Sequence, residues 1–468
     1  MRILFVAHGF PPQSVGGTEL CTYYLAKELN KRHEVYVFHR RADPSQEEYA
    51  IEDYMFDGLR VTSINNNFRN VTDFSMTYKN DVIAAKFSSF LERVKPDVVH
   101  FQHLTCLSTS LIHVCHEKRI PTVFTLHDYW MLCQRGQLLK PDLSICPGPS
   151  DRECADCLSV QISSLSGSLS RNRFLQSTIE NRHTLLGNVV KGMAQLYAQL
   201  DVKLNQRRAV KLIRDRTRHV HQMLREVDLL ITPSRFHREQ FIKFGVPKDK
   251  IIFSDNGMNT RLFEGFQKTK SDKIRFGFIG TIIPSKGLHV LIEAFNMVES
   301  DKATLSIYGI ALPYDGYENY PQELQGMAVN PNIEFMGGYD NEDIANILSG
   351  IDVLIVPSIW YENSPLTIHE AFMAGIPVIA SNIGGMAEYV HHMENGLLFE
   401  VGNPADLCDK ISTVIENQSL IETLSKNIRP VKTIEESATE LEGIYEQLIQ
   451  AKKLKECKYK DLERQNSN

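Results

Sequence analysis

Short β-branched and aromatic runs alternate with amphipathic helical stretches along this 468-residue chain. The runs that predict strands are 3–8, 34–39, 60–64, 97–102, 122–127 and 228–233 in the first half, and 275–280, 304–309, 333–336, 353–357, 378–381 and 396–399 in the second. Strands that alternate with helices form parallel sheets covered by helices on both faces. The sequence therefore predicts an α/β protein with two doubly wound, Rossmann-like domains.

The chain is long enough for two domains, and a polar stretch without apolar periodicity separates them. We predict a first domain over 1–262, a polar linker over 263–273, a second domain over 274–434, and a charged C-terminal helix with a frayed tail over 435–468. With 43% hydrophobic and 23% charged residues, the chain has the composition of a packed protein. A net charge of -6 argues against nucleic-acid binding. No apolar run approaches the ~20 residues that span a bilayer, so we expect a cytoplasmic protein.

Residues 158–225 interrupt the alternation and predict a helical insert in the first domain. An apolar stripe at three-to-four spacing runs through Leu186, Val189, Val190, Met193, Leu196, Tyr197 and Leu200. Residues 201–225 include eight Lys and Arg residues and two acidic residues, which gives a net charge of +6. Three interpretations stay open: a solvated helix packed on the first domain by its stripe, peripheral contact with the inner membrane face or a lipid-diphosphate acceptor, and nucleic acid. The last is disfavoured because interleaved aromatic residues are missing.

The stretch from Val356 to Val378 carries the clearest chemistry. After a strand and a loop, Ser364 and Pro365 predict an N-cap and a first helical residue. A helix N-terminus at the carboxyl end of a parallel strand offers free N–H groups to a phosphate. The predicted diphosphate cradle is Asn363, Ser364, Pro365 and Leu366. Glu362 before it and Glu370 after it could flank a bound nucleotide sugar, one accepting hydrogen bonds from sugar hydroxyls and the other from ribose hydroxyls.

This Glu-x7-Glu pattern, with Ser-Pro-Leu inside and Gly384-Gly385 beyond, resembles the retaining glycosyltransferases of family 4, which have the GT-B fold. Further landmarks of that family occur in order: Gly16-Gly17-x-Glu19, Lys95-Pro96-Asp97-Val98-Val99-His100, Thr125-Leu126-His127-Asp128, Pro233-Ser234-Arg235-Phe236, Asn256-Gly257 and Gly280-Thr281-x4-Lys286-Gly287. The resemblance spans about residues 1–435, excluding the insert.

The resemblance implies roles for particular residues. His127 would bond the donor sugar near the reacting centre, and Lys286 would neutralise the donor diphosphate. Glu362 would accept hydrogen bonds from the sugar hydroxyls and Glu370 from the ribose hydroxyls. Gly16 and Gly17 would let backbone N–H groups approach a phosphate or acceptor. The family commonly has an arginine where this chain has Thr281, so one expected cation is missing.

The function implied is that of a retaining hexosyltransferase. It would bind a nucleotide-sugar donor on the second domain and a glycan or lipid-linked glycan acceptor on the first, with no cofactor required for catalysis. One alternative is a non-catalytic nucleotide-sugar-binding or scaffold protein with the same fold. A dinucleotide-dependent dehydrogenase is disfavoured because no Gly-x-Gly-x-x-Gly follows a strand.

Four cysteines cluster in the loop 133–157, which has little apolar content of its own. Cys133, Cys146, Cys154 and Cys157 include a Cys-x2-Cys pair, and four thiolates are the ligand set of a structural zinc site. We therefore expect either a structural zinc ion that fastens this loop or four independent thiols, and an iron–sulfur cluster or a redox pair is a further alternative.

Overall fold

The structure, a computed structural model, describes residues 1–165, 193, 196, 197, 199, 200 and 203–466. The strands of the first domain are β1 (Arg2–Ala7), β2 (Glu34–Arg41), β3 (Ile51–Phe56), β4 (Leu59–Asn65), β5 (Val98–Phe101), β6 (Thr122–Thr125), β7 (Leu229–Thr232) and β8 (Ile251–Phe253). Its described helices are α1 (Gly17–Leu29), α2 (Asp81–Val94), α3 (Ser110–Glu117), α4 (Asp151–Cys157), α5 (Ser159–Leu165), α6 (Gln206–Glu226) and α7 (Arg235–Lys243).

The first sheet has the strand order β3-β4-β2-β1-β5-β6-β7-β8. Every neighbouring pair is parallel except β3 with β4. In β1 the five residues after Arg2 are fully buried, as expected for a central strand covered by helices on both faces. The carboxyl ends of β1 and β6 therefore open on one edge of the sheet.

The second domain repeats this arrangement. Its strands are β9 (Ile274–Ile279), β10 (Ala303–Tyr308), β11 (Ile333–Gly337), β12 (Val353–Val356), β13 (Val378–Ser381) and β14 (Gly396–Phe399), in the order β11-β10-β9-β12-β13-β14. The helices are α8 (Leu288–Asn296), α9 (Tyr320–Met327), α10 (Ile344–Ser349), α11 (Leu366–Met373), α12 (Met386–Tyr389), α13 (Pro404–Glu416) and α14 (Ser419–Lys426). All strand pairs are parallel. The predicted fold class, two doubly wound α/β domains, is confirmed.

Two strands of the first sheet were not predicted. β3 pairs with β4 through a two-residue turn at Asp57-Gly58, where both residues have positive φ, 47° and 79°. Asp-Gly is a strong hairpin signal, so the sequence did carry the information. β8 has only three residues, too few for a recognisable pattern.

The last helix, α15 (Ile434–Asn466), returns to the first domain. Ile434, Ala438, Leu441 and Tyr445 lie on one stripe of the helix and pack into the first-domain core beside β1 and β5. The Tyr445 hydroxyl lies 2.6 Å from Nδ1 of the buried His100. The first turns of the segment predicted as a separate C-terminal helix therefore belong physically to the first domain.

The insert is described at its two ends. Helix α6 packs on the first domain through Ala209, Ile213, Val220, Met223 and Leu224, which are buried. The remaining insert residues, 166–192, 194, 195, 198, 201 and 202, lie outside the described part of the chain. Within that part, no helix is long and apolar enough to cross a membrane.

Gly287, between a 3₁₀ turn (Pro284–Lys286) and α8, has no room for a side chain. Its φ is +69°, and an added Cβ would lie 1.9 Å from the Pro357 carbonyl oxygen. We expect Gly287→Ala to lower the free energy of unfolding by about 3 kcal/mol or more, from left-handed strain plus a backbone clash. Denaturant unfolding measures this.

Gly402→Ala is the matched control. Gly402 has φ +72° but nothing within 4 Å of an added Cβ, so this variant carries the strain without the clash. We expect it to cost about 1–2 kcal/mol. Equal losses in the two variants would contradict the close approach of Gly287 to Pro357.

Candidate active site

A cleft of about 490 Å³ lies between the two domains at the carboxyl ends of β1, β6, β9 and β12. In open α/β sheets this edge is where ligands bind. All the residues predicted to act in catalysis or donor binding line this one cleft: Gly16, Gly17, His127, Thr281, Lys286, Glu362, Asn363, Ser364, Pro365, Leu366 and Glu370. Positions up to 354 residues apart in the chain therefore face one volume.

Glu362 is held by three donors on one carboxylate oxygen. Its Oε1 accepts hydrogen bonds from Lys286 Nζ at 2.6 Å, Ser358 Oγ at 2.8 Å and Trp360 Nε1 at 2.9 Å. The side chain is buried, and in the described part of the chain Oε2 has no hydrogen-bond partner. The carboxylate is thus fixed in place, with one oxygen left for a ligand hydroxyl.

Lys286 is the one Lys or Arg among the described residues that line the cleft. Its ammonium also lies 5.7 Å from the centroid of the Trp360 ring, in cation–π geometry. Thr281, in the loop after β9, is uncharged. An anion in the cleft therefore meets a single side-chain cation, already paired with Glu362.

Two helix N-termini, one from each domain, complete the positive side of the cleft. Helix α11 begins at Leu366 with Pro365 as its N-cap, and no side chain caps its first turn. Helix α1 begins at Gly17, with Gly16 as an equally uncapped N-cap. N–H groups in both first turns are available to an anionic group. The two starts lie close together: a Cβ on Gly17 would be 3.6 Å from Leu366 Cδ1.

Ser364, expected as the N-cap of this helix, does something else. Its Oγ bonds Asp255 Oδ1 at 3.1 Å and lies 2.8 Å from His369 Nε2. The helix starts one residue later than the sequence pattern predicted, so the N-cap assignment was wrong. Because Ser364 binds a first-domain carboxylate, it helps to join the domains.

His127, at the end of β6, is neutral. Burial, and then the neighbouring His103, lowers the pKa of His127 to about 3. Its Nε2 lies 2.7 Å from Gln102 Oε1, which can only accept, so Nε2 carries the proton. Nδ1 is left as a hydrogen-bond acceptor, suited to a sugar hydroxyl.

Asp128 is a cleft residue to which the sequence analysis gave no role. Its Oδ1 accepts from the Trp130 N–H at 2.7 Å and lies 3.0 Å from His103 Nε2. His103 Nδ1 in turn accepts the Thr105 N–H, so Nε2 is the donor to Asp128. Burial alone would raise the pKa of Asp128, but His103 and the Trp130 N–H lower it below its ordinary value. A charged carboxylate therefore lies on the first-domain wall, and its position next to His127 was the available signal.

Glu370 lies at the start of the second turn of α11 and is buried, with no hydrogen-bond or ion-pair partner among the described residues. Burial raises its pKa to about 7. A carboxylate that loses water without gaining a partner is destabilised in its charged form. Ligand hydroxyls that donate to it would supply the missing bonds.

The four clustered cysteines lie apart from this cleft. Cys133, Cys154 and Cys157 line a second cleft of about 320 Å³, and Cys146 Sγ bonds the Gly148 carbonyl at 3.3 Å. Over the described residues, no group of three or more His, Cys, Asp or Glu side chains is arranged to hold a metal ion. The geometry therefore gives no support to zinc, which stays a prediction from the sequence.

Comparison with known proteins places each domain in a family. Glycosyltransferase Family 4 matches residues 15–149, and glycosyl transferases group 1 matches residues 261–431. An uncharacterized glycosyltransferase of Methanocaldococcus jannaschii is 30% identical over 184 residues, covering 38% of this chain and 48% of the relative. The capsular polysaccharide biosynthesis glycosyltransferase CapM of Staphylococcus aureus is 26% identical over 171 residues, 36% of this chain and 44% of CapM. The chain thus spans about half the length of these relatives.

A solved structure extends the likeness to both domains. HepE of Anabaena, in complex with UDP and glucose, superposes with a TM-score of 0.59 at 19% identity, over 96% of this chain and 99% of that one. Similarity at this level establishes the architecture, which is the GT-B fold of glycosyltransferases. Together with the matches on each domain, it makes this chain a member of the group 1 and family 4 glycosyltransferases.

We expect donor affinity to depend on the charge of Glu370. Because its pKa in the empty cleft is about 7 and only the ionised carboxylate accepts two hydroxyls, affinity should be full above pH 7. Affinity should decrease as pH falls, and well below the pKa the decrease should approach about tenfold per pH unit. Calorimetric titration with the best-binding nucleotide sugar between pH 5.5 and pH 8 measures this.

Glu370→Gln should bind more weakly and lose the pH dependence. Glu334→Gln, on an exposed strand position of the same domain, is the control and should keep it. A wild-type affinity that stays constant across this interval would rule out a hydroxyl-accepting role for Glu370.

The zinc prediction is tested by metal analysis of the purified protein. It requires about one zinc per chain, lost in a Cys154→Ser and Cys157→Ser double variant. Cys408→Ser, outside the cluster, should leave the metal content unchanged. Less than about half a zinc per wild-type chain would leave four independent thiols.

Proposed function

We propose that this chain transfers a sugar from a nucleotide-diphosphate sugar to a glycan or lipid-linked glycan acceptor, with retention of configuration. The observation that carries the proposal is the grouping of Glu362, Lys286 and Glu370 around the uncapped N-terminus of α11 in one cleft. UDP and glucose in the related HepE structure support a nucleotide-sugar ligand. CapM, a capsular polysaccharide biosynthesis glycosyltransferase, supports a glycan product.

The donor fits the cleft in one direction. Its diphosphate lies at the N–H groups of α11 and at Lys286. Its ribose reaches Glu370, whose carboxylate has no partner in the described part of the chain. Its sugar meets Glu362 Oε2 from the second domain and His127 Nδ1 from the first. Both atoms are acceptors, so they recognise hydroxyl groups.

Transfer with retention breaks the bond between the anomeric carbon and the diphosphate oxygen. The acceptor hydroxyl oxygen bonds the same carbon on the face that the diphosphate leaves, and its proton passes to a leaving-group oxygen. Glu362 is poorly suited to act as a nucleophile, since three donors hold Oε1. Lys286 and the helix N-terminus stabilise the charge that develops on the diphosphate, so catalysis consists of positioning and charge stabilisation.

We also propose a cytoplasmic location, with contact at the inner membrane face, and this proposal is separate from the transfer reaction. The exposed basic side of α6 supports it, because it suits an anionic surface.

The rival function is a non-catalytic nucleotide-sugar-binding or scaffold protein. Its one specific support is Thr281, which leaves the cleft with a single Lys or Arg among its described lining residues. Neutral His127 argues against this alternative, because a protein that only binds the donor does not need a hydrogen-bond acceptor beside the anomeric carbon.

The test is a thermal-shift and hydrolysis screen against UDP-, GDP-, ADP-, TDP- and CMP-sugars. We expect one donor to raise the melting temperature and to be hydrolysed slowly by the wild type. Lys286→Ala should lower the hydrolysis rate at least about a hundredfold, the cost of losing a preorganised charge contact. Lys302→Ala, an exposed lysine of the same domain, should behave as wild type.

Each other outcome contradicts part of the proposal. Stabilisation without hydrolysis or transfer, with candidate acceptors present, would favour the binding protein. If none of the donors raised the melting temperature, the proposed diphosphate site would be contradicted. Hydrolysis unchanged in Lys286→Ala would show that the lysine does not stabilise the leaving group.

A further inference from the structure

The apolar stripe of the insert is exposed where the structure describes it. Met193 is 66% exposed, Leu196 58%, Tyr197 48%, Leu200 49% and Leu204 85%. Their spacing of three, one, three and four residues places them on one side of a helix. The interpretation in which this stripe packs on the first domain is wrong at its four described positions, Met193, Leu196, Tyr197 and Leu200, and Leu204 extends the exposed set.

Helix α6, which follows the stripe, is anchored by a different set of residues. Its buried side, around Ile213, Val220 and Met223, packs on the first domain. Arg216 lies in that interface, donating to the Trp130 carbonyl and to Gln134 Oε1. The outer side of α6 is thereby held facing away from the domain.

That outer side is cationic near the start of α6, and one further cation, Lys203, precedes the helix. Arg207, Arg208 and Lys211 on α6 and Lys203 before it are exposed, and within the described ranges none of them pairs with an acidic side chain. Further along, Arg214 pairs with Asp151 and Arg218 with Asp215, each at 3.0 Å. Unpaired cations are thus concentrated beside the exposed apolar residues.

We propose that these exposed apolar side chains and the four unpaired cations beside them dock this protein on an anionic bilayer surface. The five apolar side chains enter the boundary between headgroups and acyl chains, while the four cations contact lipid phosphates. Charge alone would suit a nucleic acid, but a nucleic acid does not call for four exposed aliphatic side chains and a single aromatic one. This inference does not depend on the proposed transfer reaction.

Sedimentation of the full-length protein with vesicles tests the proposal. We expect binding to vesicles of phosphatidylcholine with about 30% phosphatidylglycerol, and much weaker binding to phosphatidylcholine alone. Removal of the four cations together (Lys203→Ala, Arg207→Ala, Arg208→Ala and Lys211→Ala) should weaken binding at least about thirtyfold. The control Arg214→Ala and Arg218→Ala removes cations that are already paired, and its effect should be several times smaller.

The apolar contribution is measured separately. Leu200→Ser with Leu204→Ser should weaken binding at least about tenfold, and the loss should persist in 1 M salt, where exposed charges are screened. Melting temperature and donor-induced stabilisation should match the wild type in every variant, because these residues lie outside the cleft.

Three results would overturn the proposal: equal sedimentation with and without phosphatidylglycerol, full binding by the leucine variant, or a single-stranded oligonucleotide bound more tightly than the vesicles. A chain that bound vesicles but hydrolysed no donor would retain this inference and lose the proposed function. The two failures are therefore distinguishable.

Discussion

The side chain of Asn363 holds the two halves of the cleft in register. Its amide nitrogen donates to the Leu126 carbonyl at 3.1 Å, and its Oδ1 accepts from Ser234 Oγ at 2.6 Å. One buried residue of the second domain thus satisfies groups at the ends of β6 and β7. Because Asn363 directly follows Glu362 and Leu126 directly precedes His127, this contact sets the two acceptor groups opposite each other. Buried polar groups must be paired, so the domains cannot slide at this point without losing hydrogen bonds.

Few groups supply positive charge around that contact. Among the described residues that line the cleft there is one lysine, and it donates to a glutamate that also accepts hydrogen bonds from a hydroxyl and an indole N–H. The remaining positive potential comes from backbone N–H groups at the starts of α1 and α11. These dipoles are fixed by the fold and need no reorganisation when a ligand arrives. The absence of an arginine at Thr281 therefore leaves an electrostatic site that depends chiefly on helix geometry.

The first domain adds groups that tune the opposite wall. Neutral His127, oriented by Gln102, and charged Asp128, oriented by His103, are consecutive residues with different protonation states. Burial without a charged partner makes the histidine an acceptor at Nδ1, whereas hydrogen bonds preserve the carboxylate. Away from the cleft, the described residues from Met193 to Lys211 include exposed apolar and cationic side chains that do not line it. The cleft residues and this exposed surface therefore lie in separate parts of the protein.

Strand and helix periodicities are local and recur throughout both halves of the chain, so they were enough to predict the architecture. Motifs that resemble a known family identified most of the cleft residues discussed above, although Asp128 on the same wall was given no role. How these residues pair could be seen only in the folded structure. Ser364 binds Asp255 rather than its own helix, Glu362 is shared with Lys286, and Tyr445 in the last helix reaches His100 across the chain. Such contacts join residues 76 to 345 positions apart. No local pattern encodes them, because burial and hydrogen-bond satisfaction are properties of the folded whole.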